Sequence, residues 1–321
     1  MGIQIIGTGS YLPHKVESIQ PISTPASYEN GDLALLFSGG QEHRICQDYE
    51  TPTYMGIQAA KNALANANID PATIDTVISY SVIADHETPR DVYGIMRGAG
   101  CDGAMAWTID TACASFLTHL HCANALSLAG NKRILIINSV NWANRCFNED
   151  KKADDPGNLV GDGAGAMIVE SIPGRGSIID IVEKTSTSNF DFVKMGAAQV
   201  AGNPEYLKFT KSHRIIHRAF SILPETAHEL MNRNGLTAND ITWTITHQPG
   251  MSAINKWQEM LGISIERNLN TFHLYGNVSA ANIPITLDYF LNTEPKIKRG
   301  DIILSVTAGA GIHCVAALIQ Y

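Results

Sequence analysis

No stretch of this sequence approaches the ~18–20 consecutive apolar residues that cross a bilayer, so a membrane-spanning role is not expected. Basic residues are also scarce: 23 Lys and Arg stand against 31 Asp and Glu, a net charge of −8. Neutralising phosphates needs a basic surface, so nucleic acid is not expected as a partner. Charged residues make up only 17% of the 321 residues while 45% are hydrophobic, the balance of a globular protein with a large core. None of the six cysteines stands in a C-x-x-C pair. The usual zinc and redox spacings are therefore missing, and no metal is expected. The opening Met1-Gly2-Ile3-Gln4-Ile5-Ile6-Gly7 has neither a basic region nor a cleavage signal. It reads as a first strand, which makes a cytoplasmic location with reduced thiols the expectation.

What is present is a weak internal repeat at about half the chain length. Residues 62–80 (NALANANIDPATIDTVISY) and 229–247 (ELMNRNGLTANDITWTITH) each read as an amphipathic helix, a turn and a strand. Ile69, Ile74 and Ile78 in the first match Leu236, Ile241 and Ile245 in the second at a constant offset. A second pair follows: the helix-like 113–130 before strand 133–138, and 281–292 before strand 301–306. Helices alternating with apolar strands predict βαβ units and mostly parallel, buried sheets. The expected architecture is one integrated α/β unit of two halves, 1–172 and 173–321. Residues 14–50 and 184–212 lack periodicity and read as insertions on its rim.

Three segments carry reactive residues. Cys113, in Ile109-Asp110-Thr111-Ala112-Cys113-Ala114-Ser115-Phe116, falls where a strand gives way to an apolar helix. A helix N-terminus favours a thiolate, as acyl transfer to sulfur requires, although a small core cysteine fits the segment equally well. His247 ends the strand-like run 241–246, at the strand edge where α/β folds place their sites. Asn277 lies in the Gly-Asn turn of Tyr275-Gly276-Asn277-Val278-Ser279, which taken alone reads as a helix cap.

Together these segments resemble the β-ketoacyl-acyl-carrier-protein synthase III family of the thiolase superfamily. Its A-C-A-G-F-like turn is matched by Ala112-Cys113-Ala114-Ser115-Phe116, its H-Q-A-N by His247-Gln248-Pro249-Gly250, and its G-N-T-S-A-A-S-I-P by residues 276–284. The G-D-G-A-G-A run stands at 161–166, and the terminal glycine loop as Gly309-Ala310-Gly311. The resemblance implies a thiolase fold, with duplicated βαβ halves in a layered α/β/α/β/α unit. It further implies a ping-pong decarboxylative condensation of an acyl group on Cys113 with a malonyl thioester. His247 and Asn277 would hold the enolate oxygen, and the backbone N–H groups of Cys113 and Ala310 would form an oxyanion hole. No permanent cofactor is implied. The substrates would be phosphopantetheine-linked, on acyl carrier protein or coenzyme A, and the assembly a homodimer or a heterodimer with a paralogue. Two other readings stay open: an acyltransferase acting on a hydroxyl or amine without decarboxylation, and a non-catalytic partner subunit of a synthase.

Departures from the family pattern refine the expectation. The Trp and Arg that clamp coenzyme A in the family are missing from the stretch 34–44, which favours carrier-protein delivery. Gly250 replaces the Asn of H-Q-A-N, Ala310 replaces a glycine, and Thr88 stands where a bulky aromatic gates the acyl pocket. A roomier pocket and a specialised secondary-metabolite, polyketide-type pathway are expected. Lys208, Lys211, Arg214 and Arg218 surround His213 and His217. They read as a solvated basic helix face or as a docking patch for an acidic carrier protein. Gly7-Thr8-Gly9-Ser10 lacks the third glycine of a nucleotide fingerprint.

Overall fold

The computed structural model describes residues 2–19, 39–143, 159–191, 193–195, 207–209 and 213–321, with the side chains of 194–195, 207–209 and 213–219 excepted. Two sheets organise the chain. The first contains β1 (Gly2–Tyr11), β4 (Thr76–Val82), β5 (Met105–Thr108), β6 (Arg133–Val140) and β7 (Gly163–Ile172), in the order β1-β7-β6-β4-β5. The second contains β8 (Ile178–Thr185), β11 (Trp243–Thr246), β12 (Ile302–Gly309) and β13 (His313–Gln320), in the order β11-β12-β13-β8. Small two-stranded sheets pair β2 (Lys15–Ser18) with β3 (Glu42–Ile45), and β9 (Val193–Met195) with β10 (Leu207–Phe209).

The two large sheets follow one plan. In each, a central strand pairs in parallel with the strand that begins a βα unit: β6 with β4, and β12 with β11. An antiparallel strand lies on the other side, β7 beside β6 and β13 beside β12, and β1 or β8 closes that edge. In the first sheet β5 extends β4; in the second, an isolated parallel bridge from Thr244 to Asn268 stands in that place. The sheets are therefore mixed, not mostly parallel as the helix–strand alternation suggested. The reason is connectivity: β12 and β13 are joined by the short 310–312 turn, too short for a crossover, and a hairpin forces antiparallel pairing.

Helices fill three layers. The first helix, α1 (Pro52–Ala67), starts where Thr51 caps the Tyr54 N–H and ends at Asn68 in the left-handed region (φ 52). Its buried face is small (Ala59, Ala60, Ala63) and lies on β1, where a Cβ on Gly7 would come 2.7 Å from the Ala63 carbonyl. Gly7-Thr8-Gly9 is thus a helix-packing surface within a strand and cradles no phosphate. With α2 (Asp91–Ala99), α1 covers the outer face of the first sheet. The outer face of the second is covered by α4 (His213–Arg233) and α5 (Met251–Leu261).

Between the sheets lie α3 (Ser115–Leu128) and, after the one-turn α6 (Phe272–Tyr275), α7 (Asn282–Asp288). Phe116, Leu117 and Leu120 from α3 and Ile283 and Leu287 from α7 share one apolar cluster with Ile78, Ile136, Ile245 and Ile303 from both sheets. The result is five layers, α/β/α/β/α. Full burial of each such side chain contributes roughly 1.5–3 kcal/mol, so the middle layer welds the halves together.

Glycines permit the tightest approaches. A Cβ on Gly161 would run into the Tyr275 carbonyl, whereas Gly103 has nothing within 4 Å. Gly161→Ala is expected to lower stability by about 1–3 kcal/mol, read as a lower urea midpoint. Gly103→Ala should stay within about 1 kcal/mol of wild type. Equal midpoints for the two variants would show that the contact of Gly161 with the Tyr275 carbonyl is not tight.

Candidate active site

The turn that carries Cys113 is made by three residues of 3-10 helix, Ala112–Ala114, between β5 and α3. Ala112 has φ 52, a left-handed conformation that L side chains resist and that surrounding structure must enforce. Asp110 enforces it by accepting the Ala112 N–H through Oδ1 at 2.7 Å, an Asx turn. Ser115 locks the far side: its Oγ accepts from Thr111 N at 3.0 Å and donates to the Ala112 carbonyl at 2.7 Å.

The same device recurs in the second half. Asn277 accepts the Ser279 N–H through Oδ1 at 2.9 Å, Ser279 has φ 46, and a 3-10 turn at Ser279–Ala281 leads into α7. Asp110 and Asn277, like Ala112 and Ser279, stand 167 residues apart (277 − 110 and 279 − 112). The two turns meet, with Cys113 Sγ 3.1 Å from Ser279 Oγ. With its Oδ1 turned to the Ser279 N–H, Asn277 is oriented so that its N–H2 group is the side left to meet a substrate. Its backbone is fixed by Leu159 and Gly161 (Asn277 N to Leu159 O 2.7 Å, Gly161 N to Asn277 O 3.0 Å) and by Trp142, whose indole N–H donates to the Asn277 carbonyl at 3.2 Å. Here the Gly161–Ala166 run acts as a clamp on the Asn277 loop.

His247 follows β11 and donates its backbone N–H to Val306 on β12 at 2.9 Å. The next β12 residue, Thr307, donates its hydroxyl to the Cys113 carbonyl at 3.0 Å. His247 and the Cys113 turn therefore hang from successive residues of one strand. Gln248 ties this strand end to α7 through Thr286 Oγ1 (2.8 Å) while accepting from Thr271 N at 3.0 Å. Ala310 sits in the turn after Gly309, and a Cβ on Gly309 would collide with the Thr111 carbonyl. The turn that carries Ala310 is thus pressed against the one that carries Cys113.

The electrostatics correct one expectation. Cys113 keeps some contact with solvent, but dense packing pushes its thiol up; the Ser279 hydroxyl and its own N–H pull only partly back, and Asp110 adds to the rise. The resting group is a thiol, because desolvation of the anion is the largest influence on it. Burial holds the His247 imidazole down at about 4, hence neutral, with Nδ1 lacking a partner among the described residues. The ring nitrogen left to meet a ligand is Nε2. A neutral imidazole and a neutral amide can polarise a carbonyl oxygen without bringing a charge into the site.

Other singled-out residues lie elsewhere. Thr88 is exposed on the loop between β4 and α2 and does not line the 380 Å³ cavity that Tyr80, Arg90 and Asp110 border. Lys211 falls outside the described residues, as do the side chains of Lys208, Arg214 and Arg218. His119 is buried and bonds the Ile109 carbonyl at 2.8 Å, whereas His121 meets Glu183 at 3.0 Å. Cys314 is buried on β13. Sequence reasoning passed over Asp110, Ser279, Gln248, Trp142 and Thr307. Of these only Asp110 had a readable signal, its Asx spacing to Ala112 mirrored by Asn277 and Ser279.

Comparison with known proteins decides the family. A family model for 3-oxoacyl-[acyl-carrier-protein] synthase III matches residues 108–187, and the model for its C-terminal part matches 231–321. The β-ketoacyl-[acyl-carrier-protein] synthase III of Aquifex aeolicus strain VF5 is 30% identical over the full length of both chains. The chain belongs to the β-ketoacyl-[acyl-carrier-protein] synthase III family. The synthase III of Coxiella burnetii strain RSA 493 is likewise 30% identical, covering 99% of this chain and 98% of the relative. The crystal structure of the Aquifex aeolicus enzyme superposes with a TM-score of 0.85 at 28% identity over all of both chains. The priming β-ketosynthase of the R1128 polyketide pathway shares the fold at 24% identity and a TM-score of 0.85, covering 99% of this chain and 96% of its own. The fold is the thiolase fold of the condensing enzymes. Among the described residues no helix is long and apolar enough to cross a membrane, and no cluster of ligating side chains could hold a metal.

Burial of neutral imidazoles has a consequence for stability. His119 and His247 both fall from the usual 6.5 to about 4, the first despite its bond to Ile109. Between these values the unfolded chain binds protons that the folded chain refuses, so stability drops as pH falls from 6.5 towards 4. Unfolding free energies from urea titrations at pH 7 and 4.5 should differ by on the order of 2–3 kcal/mol for each histidine. His119→Gln should shrink the difference. An unchanged pH dependence in that variant would mean that His119 is not buried as a neutral ring.

Proposed function

We propose that this chain catalyses a decarboxylative Claisen condensation between an acyl group carried on Cys113 and a malonyl thioester. The observation that carries the reading is the meeting of the two turns. A half-buried thiol is held 3.1 Å from Ser279, beside an Asn277 amide whose oxygen is already tied to Ser279 N–H. In the first half-reaction the Cys113 sulfur attacks the acyl thioester carbon, and the phosphopantetheine sulfur leaves with the proton that Cys113 gives up. The backbone N–H groups of Cys113 and Ala310 hold the tetrahedral oxyanion.

In the second half-reaction the malonyl C–C bond breaks, and its electron pair moves onto the thioester oxygen as carbon dioxide leaves. His247 Nε2 and Asn277 Nδ2 donate to that oxygen. The enolate carbon then attacks the acyl carbonyl, and the bond to Cys113 sulfur breaks. A β-ketoacyl thioester departs, and the Cys113 thiolate takes up a proton.

Carrier-protein delivery and a specialised, polyketide-type pathway are supported by the sequence departures at 34–44, Thr88 and Gly250. A roomier acyl pocket is supported by Thr88, which stands where the family pattern has a bulky aromatic. Self-association is supported by β5, an edge strand that shows Met105 and Trp107 to solvent. An exposed apolar edge is a pairing surface. The halves 1–172 and 173–321 would work as one unit, because the Cys113 turn comes from the first and both donors from the second.

Intact-protein mass after exposure to a panel of acyl-CoA and acyl-carrier-protein donors tests the reading. An acyl adduct should form on wild type and not on Cys113→Ala. Asn277→Ala should still acylate but lose condensation with malonyl donor by about a hundredfold or more. Normal condensation by Asn277→Ala, or equal adducts on Cys113→Ala, would overturn the assignment. Transfer of the acyl group to a hydroxyl or amine without loss of carbon dioxide would instead favour the acyltransferase reading.

A further inference from the structure

A second group of titratable side chains lies behind the nucleophile turn, between α3 and the second sheet. Glu183 on β8 points into the middle layer between two imidazoles: His121 Nδ1 from α3 at 3.0 Å and His313 Nε2 from β13 at 3.3 Å. His313 is the first residue after the turn that carries Ala310, and it pairs with Gly309 across the β12–β13 hairpin. Its Nδ1 lies 2.9 Å from Thr185 Oγ1, and its Nε2 lies 3.4 Å from Thr118 Oγ1. Thr118 in turn accepts from Thr111 Oγ1 at 3.0 Å, two residues before Cys113. With Nδ1 accepting from Thr185, the Nε2 proton is shared between Glu183 and Thr118. One side chain thus bridges the end of the Ala310 turn to the helix and turn that hold the thiol.

We propose that His313, anchored by Glu183, is a positioning residue that sets the distance between the Ala310 N–H and the sulfur of Cys113. The inference rests on the reading of Ala310 as an oxyanion donor. The mechanical reason is that the 310–312 turn meets Thr111 from both ends. Gly309 presses on the Thr111 carbonyl, and His313 reaches the Thr111 hydroxyl through Thr118.

The charge favours a firm bridge. Burial works to raise the Glu183 carboxyl, but hydrogen bonds from His121 and His313 overcome it and bring it down to about 2. The carboxylate therefore stays ionised wherever the enzyme works, and it holds His121 above the ordinary imidazole value. The titratable groups that face this cluster are His121 and Cys122 from α3 and Glu183 from β8, with Asp180 and Arg233 beyond. Cys113 lies two residues beyond Thr111, at the other end of this chain of contacts. A displacement of about 1 Å in a reacting geometry can slow chemistry about a hundredfold, so a loosened turn should show in rate before it shows in binding.

The test compares two reactions of the same sulfur. Acylation passes through an oxyanion; alkylation by iodoacetamide does not. For His313→Leu, single-turnover acylation at saturating donor should slow by about tenfold or more. The half-saturating donor concentration and the alkylation rate of Cys113 should stay within about twofold. His313→Gln keeps an N–H to share between Glu183 and Thr118 and should recover most of the rate. Glu183→Gln, which removes the anchor, should slow acylation alone, and it serves as a second variant if His313→Leu folds poorly. Wild-type acylation rates in both His313→Leu and Glu183→Gln would overturn the inference. So would a parallel loss of acylation and alkylation in both variants, since that pattern marks general distortion. If wild type itself forms no acyl adduct with any donor, the condensing-enzyme reading fails and takes the inference with it.

Discussion

Everything in this molecule that concerns chemistry depends on two strained turns held against each other at the centre of the middle layer. Ala112 and Ser279 both adopt positive φ without being glycine, a conformation that costs of order 1–3 kcal/mol at each position. Each is offset by the same means, an Asx acceptor two residues upstream. Each is also pressed into place by the opposite half: Thr307 and Gly309 of the second sheet hold the Cys113 turn, and Leu159, Gly161 and Trp142 of the first half hold Asn277. Each turn thus combines a brace from its own half with one from the other, and this ties the integrity of the site to that of the whole fold.

Symmetry supplies the positions and side-chain choice divides the labour. Where the second half has His247 and Asn277, the first has Tyr80 and Asp110 at the same offset of 167 (247 − 80 and 277 − 110). Tyr80 is driven well above its usual value by burial, with Asp110 and Cys113 adding to the rise. A carboxylate at 277 would repel the oxygen of an enolate, whereas an amide in the same turn can donate to it. A tyrosine at 247 would place bulk where an imidazole leaves an edge. The side of the pair with neutral donors suits an anion that appears only during reaction. Catalysis by fixed dipoles also needs poorly solvated surroundings, and the orphaned His247 Nδ1, Thr246 Oγ1 and Asn282 Oδ1 show that price. Each such group costs about 1–3 kcal/mol when left without a partner.

Much of this was legible in the sequence because duplication writes itself twice. Ile78 and Ile245 fall at matching places on β4 and β11, inside one shared apolar cluster. The Cys113, His247 and Asn277 motifs were each weak alone but ordered and spaced as in the family. Strand direction was not legible, since a buried apolar run has the same periodicity whichever way it runs. The positive-φ turns were hidden because Ala and Ser stood where glycine would have advertised them. The thiol state was misjudged because a helix end can be read from sequence and desolvation cannot. The His313–Glu183–His121 group was invisible for a related reason: its members come from three elements far apart in the chain.

The departures from the family pattern can now be sorted by what the backbone demands. Gly309 must lack a side chain because Thr111 fills the space, and Gly311 sits at φ 117. Position 310 lies between these two constraints and has neither, so an alanine there leaves a backbone N–H free to serve as donor. Gly250, by contrast, has the extended φ of 172 that any residue adopts. No conformation requires glycine at 250, and the change from asparagine removes a side chain without adding a turn. The departures at 250 and 310 therefore alter side chains beside the two central turns and not the residues that shape them.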